Sequence, residues 1–272
     1  VDYMIREYQA GRTPNPDVMC NQEVKFKLFL EAAMAAGAEY IATGHYARTS
    51  EGRLLRAHDD NKDQTYFLYR VTSEALAKTM FPLGDFTKAE VRQMAKERGL
   101  WTASKKESMG ICFVGQVGIR EFLSEYVETS PGDIIDQQTG VVVGRHDGAI
   151  FYTLGQRHGL ALGGGLPYYV IGKDMAKNEV YVSRSIDNAN LWRKELTLTD
   201  VHWIGQPPKD GTYQVRVRHR APLIDAEVAH MNDAGEKVAV KLVEPQRAVA
   251  PGQSAVIYDG EECLGGGIIQ AD

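Results

Sequence analysis

The sequence predicts an α/β unit followed by two β-rich units, and three observations carry that expectation. Residues 23–99 alternate helical and strand patterns. From Pro131 onward the chain breaks into short apolar or alternating runs separated by turn residues. A length of 272 residues also exceeds what one ordinary core accommodates.

Within the first part, Glu23 to Ala36 carries an apolar stripe at helical spacing. The stripe is Val24, Leu28, Ala32 and Ala35, with Phe29, Ala33 and Ala36 beside it, and Gly37 suits the position just past the helix end. Tyr40 to Thr43 reads as a short buried strand ending at Gly44-His45-Tyr46. Ligands of open α/β sheets gather at the carboxyl ends of strands, so Gly44 and His45 stand where a ligand would sit. Thr87-Lys88-Ala89-Glu90 is a capping box opening a helix that turns Val91, Met94 and Ala95 inward and stops at Gly99. This is the tail half of a doubly wound α/β domain. Arg120 to Val127 forms a brief helix. Beyond it, Gln138-Thr139-Gly140, Lys209-Asp210-Gly211 and Asp259-Gly260 mark turns. The runs 196–203, 212–219, 224–231, 237–243, 254–258 and 263–269 read as barrel strands. The expected division is 1–107 α/β, 108–190 a small β-rich central domain, and 191–272 a C-terminal β-barrel.

Net charge is −5 and no third of the chain is basic as a whole, so binding to a polyanion would have to use local patches. No apolar run approaches the length needed to span a bilayer, and Val1 to Arg6 lacks a secretory pattern. Three cysteines argue against a disulfide scaffold and for a reducing compartment, so a cytoplasmic protein is expected. The chain opens on Val and enters a motif-bearing loop almost at once; a missing N-terminal portion is therefore expected.

Cys20 and Cys112 are the candidate reactive thiols. Pro14 and Pro16 impose an extended approach to Cys20, while Gly110 and Gly115 let the backbone around Cys112 come close to a partner. Lys105 and Lys106 precede Cys112, and cationic neighbours favour thiolate. The alternative is that each thiol is a small buried hydrophobe. Asp17 can act as general acid or base beside Cys20, or Asn15 and Asp17 can simply build a turn. Cys263 is expected to be structural, within a barrel strand. Arg216, Arg218 and Arg220 alternate, so a strand would place them on one face as a cationic stripe, or as an ordinary polar face. Neither CxxC nor HExxH occurs, so no metal site is expected; an iron–sulfur cluster on Cys20, Cys112 and Asp17 is a minority alternative.

Several blocks together resemble the tRNA-specific 2-thiouridylases (MnmA family). They are Gly11-Arg12-Thr13-Pro14-Asn15-Pro16-Asp17-Val18-Met19-Cys20-Asn21, Ala42-Thr43-Gly44-His45-Tyr46, Lys62-Asp63-Gln64-Thr65-Tyr66-Phe67-Leu68 and Gly110-Ile111-Cys112-Phe113. Tyr152-Thr153-Leu154-Gly155-Gln156-Arg157, Pro251-Gly252-Gln253-Ser254-Ala255-Val256 and Cys263-Leu264-Gly265-Gly266-Gly267 extend the match nearly to the C-terminus.

The resemblance implies a nucleotide-hydrolase-like (PP-loop) first domain and thiolation of the wobble uridine in the anticodon loop of tRNA. It implies ATP, as Mg-ATP, as co-substrate, and a donor protein that loads sulfur onto Cys112, with no membrane partner. By motif position Cys112 resembles the persulfide carrier and Cys20 the second catalytic cysteine, which closes a disulfide with it or releases sulfide. Asn15, Pro16 and Asp17 match the segment that meets the target base, with Asp17 as acid/base. Gly44 matches an ATP contact, and His45, Lys62, Asp63, Gln64, Arg218, His219 and Gln253 match tRNA contacts. The family's Ser-Gly-Gly-x-Asp-Ser-Ser loop does not occur in these residues. The expectation is therefore that this polypeptide alone neither thiolates tRNA nor binds ATP tightly, and that its α/β half is less stable than its barrel. Two alternatives of other classes are a non-catalytic tRNA-binding protein and a thiol redox protein.

Overall fold

A computed structural model of the chain describes residues 1–104, 118–163, 166–232 and 235–271. The expected α/β-plus-β architecture is found. Helix α1 (Asp2–Gln9) is followed by an unbroken helical run made of α2 (Pro16–Met19), a π-helical stretch (Cys20–Phe29) and α3 (Leu30–Ala35). Strands β1 (Ile41–Ala42), β2 (Arg48–Ser50), β3 (Arg53–Leu55) and β4 (Thr79–Met80) follow, with α4 (Ser73–Ala77) and then α5 (Lys88–Glu97). Strand β1 pairs in parallel with β4. The Thr87–Glu90 capping box is present, and Val91, Met94 and Ala95 are the half-buried face of α5.

The face of the long helix departs from expectation. Val24, Leu28 and Phe29 are exposed by 51%, 58% and 52%. The packed face is Asn21, Phe26, Leu30, Ala33 and Met34. The helix carries two apolar faces. The π-helical stretch changes the angular spacing of the residues after Cys20 from an α-helical count, and packing on the joint core selects the face that carries Phe26 and Leu30.

Helix α6 (Ile119–Ser124) leads into a four-stranded sheet of β5 (Gly132–Asp136), β6 (Val142–His146), β7 (Tyr169–Asp174) and β8 (Glu179–Ser183), ordered β6-β5-β8-β7. Only β5 and β8 run in parallel. Helix α1 packs here rather than on the α/β unit: Met4 and Tyr8 share a buried cluster with Leu123 and Ile150.

The last six strands are β9 (Trp192–Trp203), β10 (Gly211–Arg216), β11 (Ile224–His230), β12 (Val238–Arg247), β13 (Ser254–Asp259) and β14 (Glu262–Ile269). They form an antiparallel ring ordered β13-β10-β11-β12-β9-β14, closed because β13 also pairs with β14. Alternation fills the inside: Leu198, Val215, Ala226, Val228, Val240, Ala255 and Ile257 form one buried cluster. Strand β13 is buried on both faces. Ala255 and Ile257 point into the barrel, while Val256 and Tyr258 belong to a second core with Val18, Phe26, Leu54, Tyr66 and Tyr69 of the α/β unit. The β2–β3 hairpin adds to this joint by pairing Leu54 with Cys263. Cys263 is 1% exposed and burial pushes its thiol pKa well up, which fits its expected structural role. Gly265, at φ +146, cannot carry a side chain: a Cβ would lie 2.1 Å from the His202 carbonyl oxygen.

A candidate thiol site at the joint between the α/β unit and the barrel

The segment before Cys20 is held from two sides. Gln253 donates its amide to the Thr13 and Pro14 carbonyls at 2.8 and 3.3 Å, and the Thr13 amide donates to the Pro251 carbonyl at 2.9 Å. Between them Gly252 has φ +89, and a Cβ there would sit 2.9 Å from the Thr13 nitrogen. From the central sheet, the Thr153 hydroxyl meets that of Thr13 at 3.0 Å. Lys173 donates to the Tyr152 carbonyl at 2.7 Å behind Gly11, and burial pulls its pKa down to about 8.

Asn15 occupies the cap position of α2 in extended conformation, and its side chain hydrogen-bonds Tyr66. Tyr66 in turn donates to the Ser254 carbonyl at 3.0 Å, and the Ser254 hydroxyl donates to Tyr69 at 3.2 Å. Pro16 opens the helix, where its missing N–H is no loss, and Asp17 lies in the first turn. One turn on, half-buried Cys20 begins the π-helical stretch. Asn21 donates to the Phe67 carbonyl at 3.0 Å and Gln22 accepts from Arg70 at 2.6 Å. Arg70 also pairs with Asp200 of β9 at 3.1 Å.

Gly44 and His45 follow β1 as expected, and Gly44 is exposed. His45 lies in an aromatic slot, with ring centroids 5.7 Å from Phe26 and 6.2 Å from Phe81. Its Nε2 is 3.4 Å from Lys25 Nζ and its Nδ1 is 2.9 Å from the Thr43 hydroxyl. An ammonium only donates, so Nε2 accepts and Nδ1–H donates to Thr43. Burial, then the Lys25 charge, pulls the His45 pKa down to about 4. His219, its ring 4.4 Å from Phe67, is likewise pulled down to about 4, first by burial and then by Arg220 and Arg216. Both rings are neutral near pH 7.

These two shifts set a pH dependence. The folded pKa values lie below the ordinary 6.5, so the unfolded chain takes up more protons between pH 6.5 and 4. The stability tied to neutral His45 and His219 is present above pH 6.5 and is lost as pH falls through about 4. Urea unfolding across pH 7 to 4.5 should show the midpoint falling, and the fall should be smaller in His45→Gln. Equal slopes in the two proteins would contradict the placement of His45.

Lys62 is half-buried on the turn before Tyr66, and Gln64 exchanges two hydrogen bonds with the Tyr46 backbone at 2.9 and 3.0 Å. Asp63 departs from its expected place at a tRNA surface. It is 1% exposed and pairs with Arg216 at 2.7 Å while accepting from the Thr65 hydroxyl at 2.9 Å. The cationic stripe is also corrected. Strand β10 ends at Arg216, whose side chain is buried over the Tyr258 ring; Arg218 is exposed in the following turn, and Arg220 has φ +62. The strand alternation that would align the three guanidinium groups stops before Arg218.

Cys112, Lys105 and Lys106, with the whole Gly110–Phe113 block, lie outside the described residues, so the Cys20–Cys112 approach is not on view. Among the described residues no group of three or more His, Cys, Asp or Glu is arranged to hold a metal ion. No described helix is long and apolar enough to cross a membrane. The sequence reading missed Asn21, Tyr66, Arg70 and Ser254; their polarity inside apolar-spaced runs was the available signal.

The fold is that of an α/β unit joined to two β-rich units, and the family profiles follow the same division. Residues 1–116 match the tRNA methyl transferase HUP domain, 120–184 the tRNA methyl transferase PRC-barrel domain and 193–269 the aminomethyltransferase beta-barrel domain. The chain is 50% identical over 274 residues to tRNA-specific 2-thiouridylase MnmA 2 of Geobacillus kaustophilus, covering 98% of this chain and 73% of that protein. It is 48% identical to tRNA-specific 2-thiouridylase MnmA of Bacillus cytotoxicus and to that of Lysinibacillus sphaericus, with the same coverage. The chain belongs to the MnmA family of tRNA-specific 2-thiouridylases.

Proposed function

We propose that this chain holds the tRNA-reading surface and both sulfur-handling cysteines of an ATP-dependent tRNA 2-thiouridylase. One observation carries the reading. Residues 13–25, 43–46, 62–70, 216–219 and 251–254, distant in sequence, are tied to one another by hydrogen bonds, an ion pair and ring contacts.

On this reading residues 1–107 contribute to nucleotide binding, 108–190 bear the persulfide cysteine and 191–272 bind tRNA. ATP is co-substrate and adenylates O2 of the wobble uridine, releasing pyrophosphate and making that oxygen a leaving group. Gly44 borders the nucleotide: among the described residues a Cβ there would meet only Leu83, at 3.9 Å, so the position leaves room for a ligand. Asn15, Pro16 and Asp17 meet the extruded base, and Asp17 takes and returns the proton at N3. A donor protein loads sulfur onto Cys112. The terminal persulfide sulfur attacks C2, the C2–O2 bond breaks and AMP leaves with the electron pair. The Cys20 thiolate then attacks Cys112 Sγ. The bond from Cys112 to the base-borne sulfur breaks, the uridine keeps a thiocarbonyl, and the resulting Cys20–Cys112 disulfide is reduced by an external thiol.

Lys62 and Arg218 supply charge for phosphates, and His45, Gln64 and His219 border the RNA. Gln253 holds Pro14 from behind, and Asp63 holds Arg216; both place the surface rather than form it. The test is mild oxidation of the purified chain followed by peptide mapping. A Cys20–Cys112 disulfide is expected; its absence under all oxidants that oxidise other thiols would overturn the assignment.

A further inference from the structure

We infer that Asn21 is a positioning residue that couples the Lys62–Leu68 turn to the direction of the Cys20 thiol. The inference rests on the proposed roles of Cys20 and of that turn. Asn21 is 2% exposed and lies next to Cys20 at the start of the π-helical stretch. Its amide donates to the Phe67 carbonyl at 3.0 Å, while its Oδ1 is buried with no partner among the described residues. An apolar side chain of the same size would avoid that unmet acceptor, so packing alone does not account for the amide. A directional bond does account for it. A π-helical stretch is less favourable than the α-helix around it, and its first turn needs an outside tie to keep its rotation.

The tie leads to the RNA-facing surface. The Phe67 ring lies 4.4 Å from His219, and His219 adjoins exposed Arg218. Phe67 also follows Lys62 and Gln64 on the same turn. A displacement of this turn by docked RNA therefore moves the Phe67 carbonyl, and through Asn21 it turns the residue that carries the thiol. Gln22 cannot replace the link, since its partner Arg70 is fixed to Asp200 of the barrel.

The test is per-cysteine alkylation by iodoacetamide, read by mass spectrometry, with and without a uridine-34 anticodon stem-loop. Buried Cys263 reports unfolding in the same sample. In the wild-type chain the stem-loop should change the Cys20 rate by about fivefold or more. In Asn21→Leu, Cys263 should stay protected and the RNA should still bind, while the stem-loop effect on Cys20 should shrink to the shielding that the docked base alone provides. If Leu exposes Cys263, Asn21→Asp, which matches the amide in shape and lacks its donor, should give the same reduction. An undiminished stem-loop effect in the folded variant would overturn the role of Asn21, as would exposure of Cys263 in both variants. No effect on wild-type Cys20 with RNA bound would instead overturn the proposed role of Cys20, and the inference with it.

Discussion

Replacing Arg216 with alanine should destabilise the chain by about 3–5 kcal/mol, because it strands the Asp63 carboxylate in a site with no access to water. The pair is among the most deeply buried ionic contacts described, with side-chain exposures of 5% and 0%. It also joins β10 of the barrel to the turn that carries Lys62 and Gln64, so tRNA affinity should fall with stability. Denaturant unfolding checks the first part, and a double-mutant cycle isolates the pair. Asp63→Asn should cost less in the Arg216→Ala background than in the wild type, by a coupling of about 0.5–3 kcal/mol. Arg218→Ala should behave in the opposite way. It is exposed, so stability should stay within about 0.5 kcal/mol, while the salt dependence of tRNA binding should lose about one phosphate contact. Equal stability losses at Arg216 and Arg218 would refute the distinction between strut and surface.

The second large effect concerns sulfur loading. Treated with polysulfide and freed of excess, the wild-type chain should carry about one cyanide-releasable sulfur, held as a persulfide. Cys112→Ser should carry almost none, while Cys20→Ser should keep its sulfur on standing, whereas the wild-type chain loses it as sulfide when Cys20 displaces it and closes a disulfide with Cys112. Cys263, buried in β14 with its thiol pKa pushed well up, should contribute nothing in the folded state. Sulfur retained by Cys112→Ser and lost by Cys20→Ser would exchange the two roles.

The barrel was legible in the sequence because its strands alternate and its turns carry Asp-Gly and Pro-Gly pairs; all six expected runs overlap observed strands. The capping box at Thr87 was legible for a similar reason, since its signal is local. What could not be read depends on tertiary contacts. The long helix has two apolar faces, and only the packing of Phe26 and Leu30 against the joint with the barrel decides between them. The arginine alternation at 216–220 fits a strand, but the strand ends at Arg216 where its side chain turns in to meet Asp63. Asp63 and Gln253 were marked by motif position without their manner of action. A motif records that a residue is needed; its buried ion pair or its two carbonyl partners record why.

The central claim is that segments far apart in sequence form one surface around Cys20 that receives the wobble base. Photocrosslinking tests it most directly, using an anticodon stem-loop with 4-thiouridine at the wobble position and mass-spectrometric mapping of the adduct. The account predicts crosslinks within residues 13–20 and at His219, all lost when competitor stem-loop is added. Crosslinks confined to the strands across the ring from β13, around Glu227 of β11 and Lys241 of β12, would contradict it.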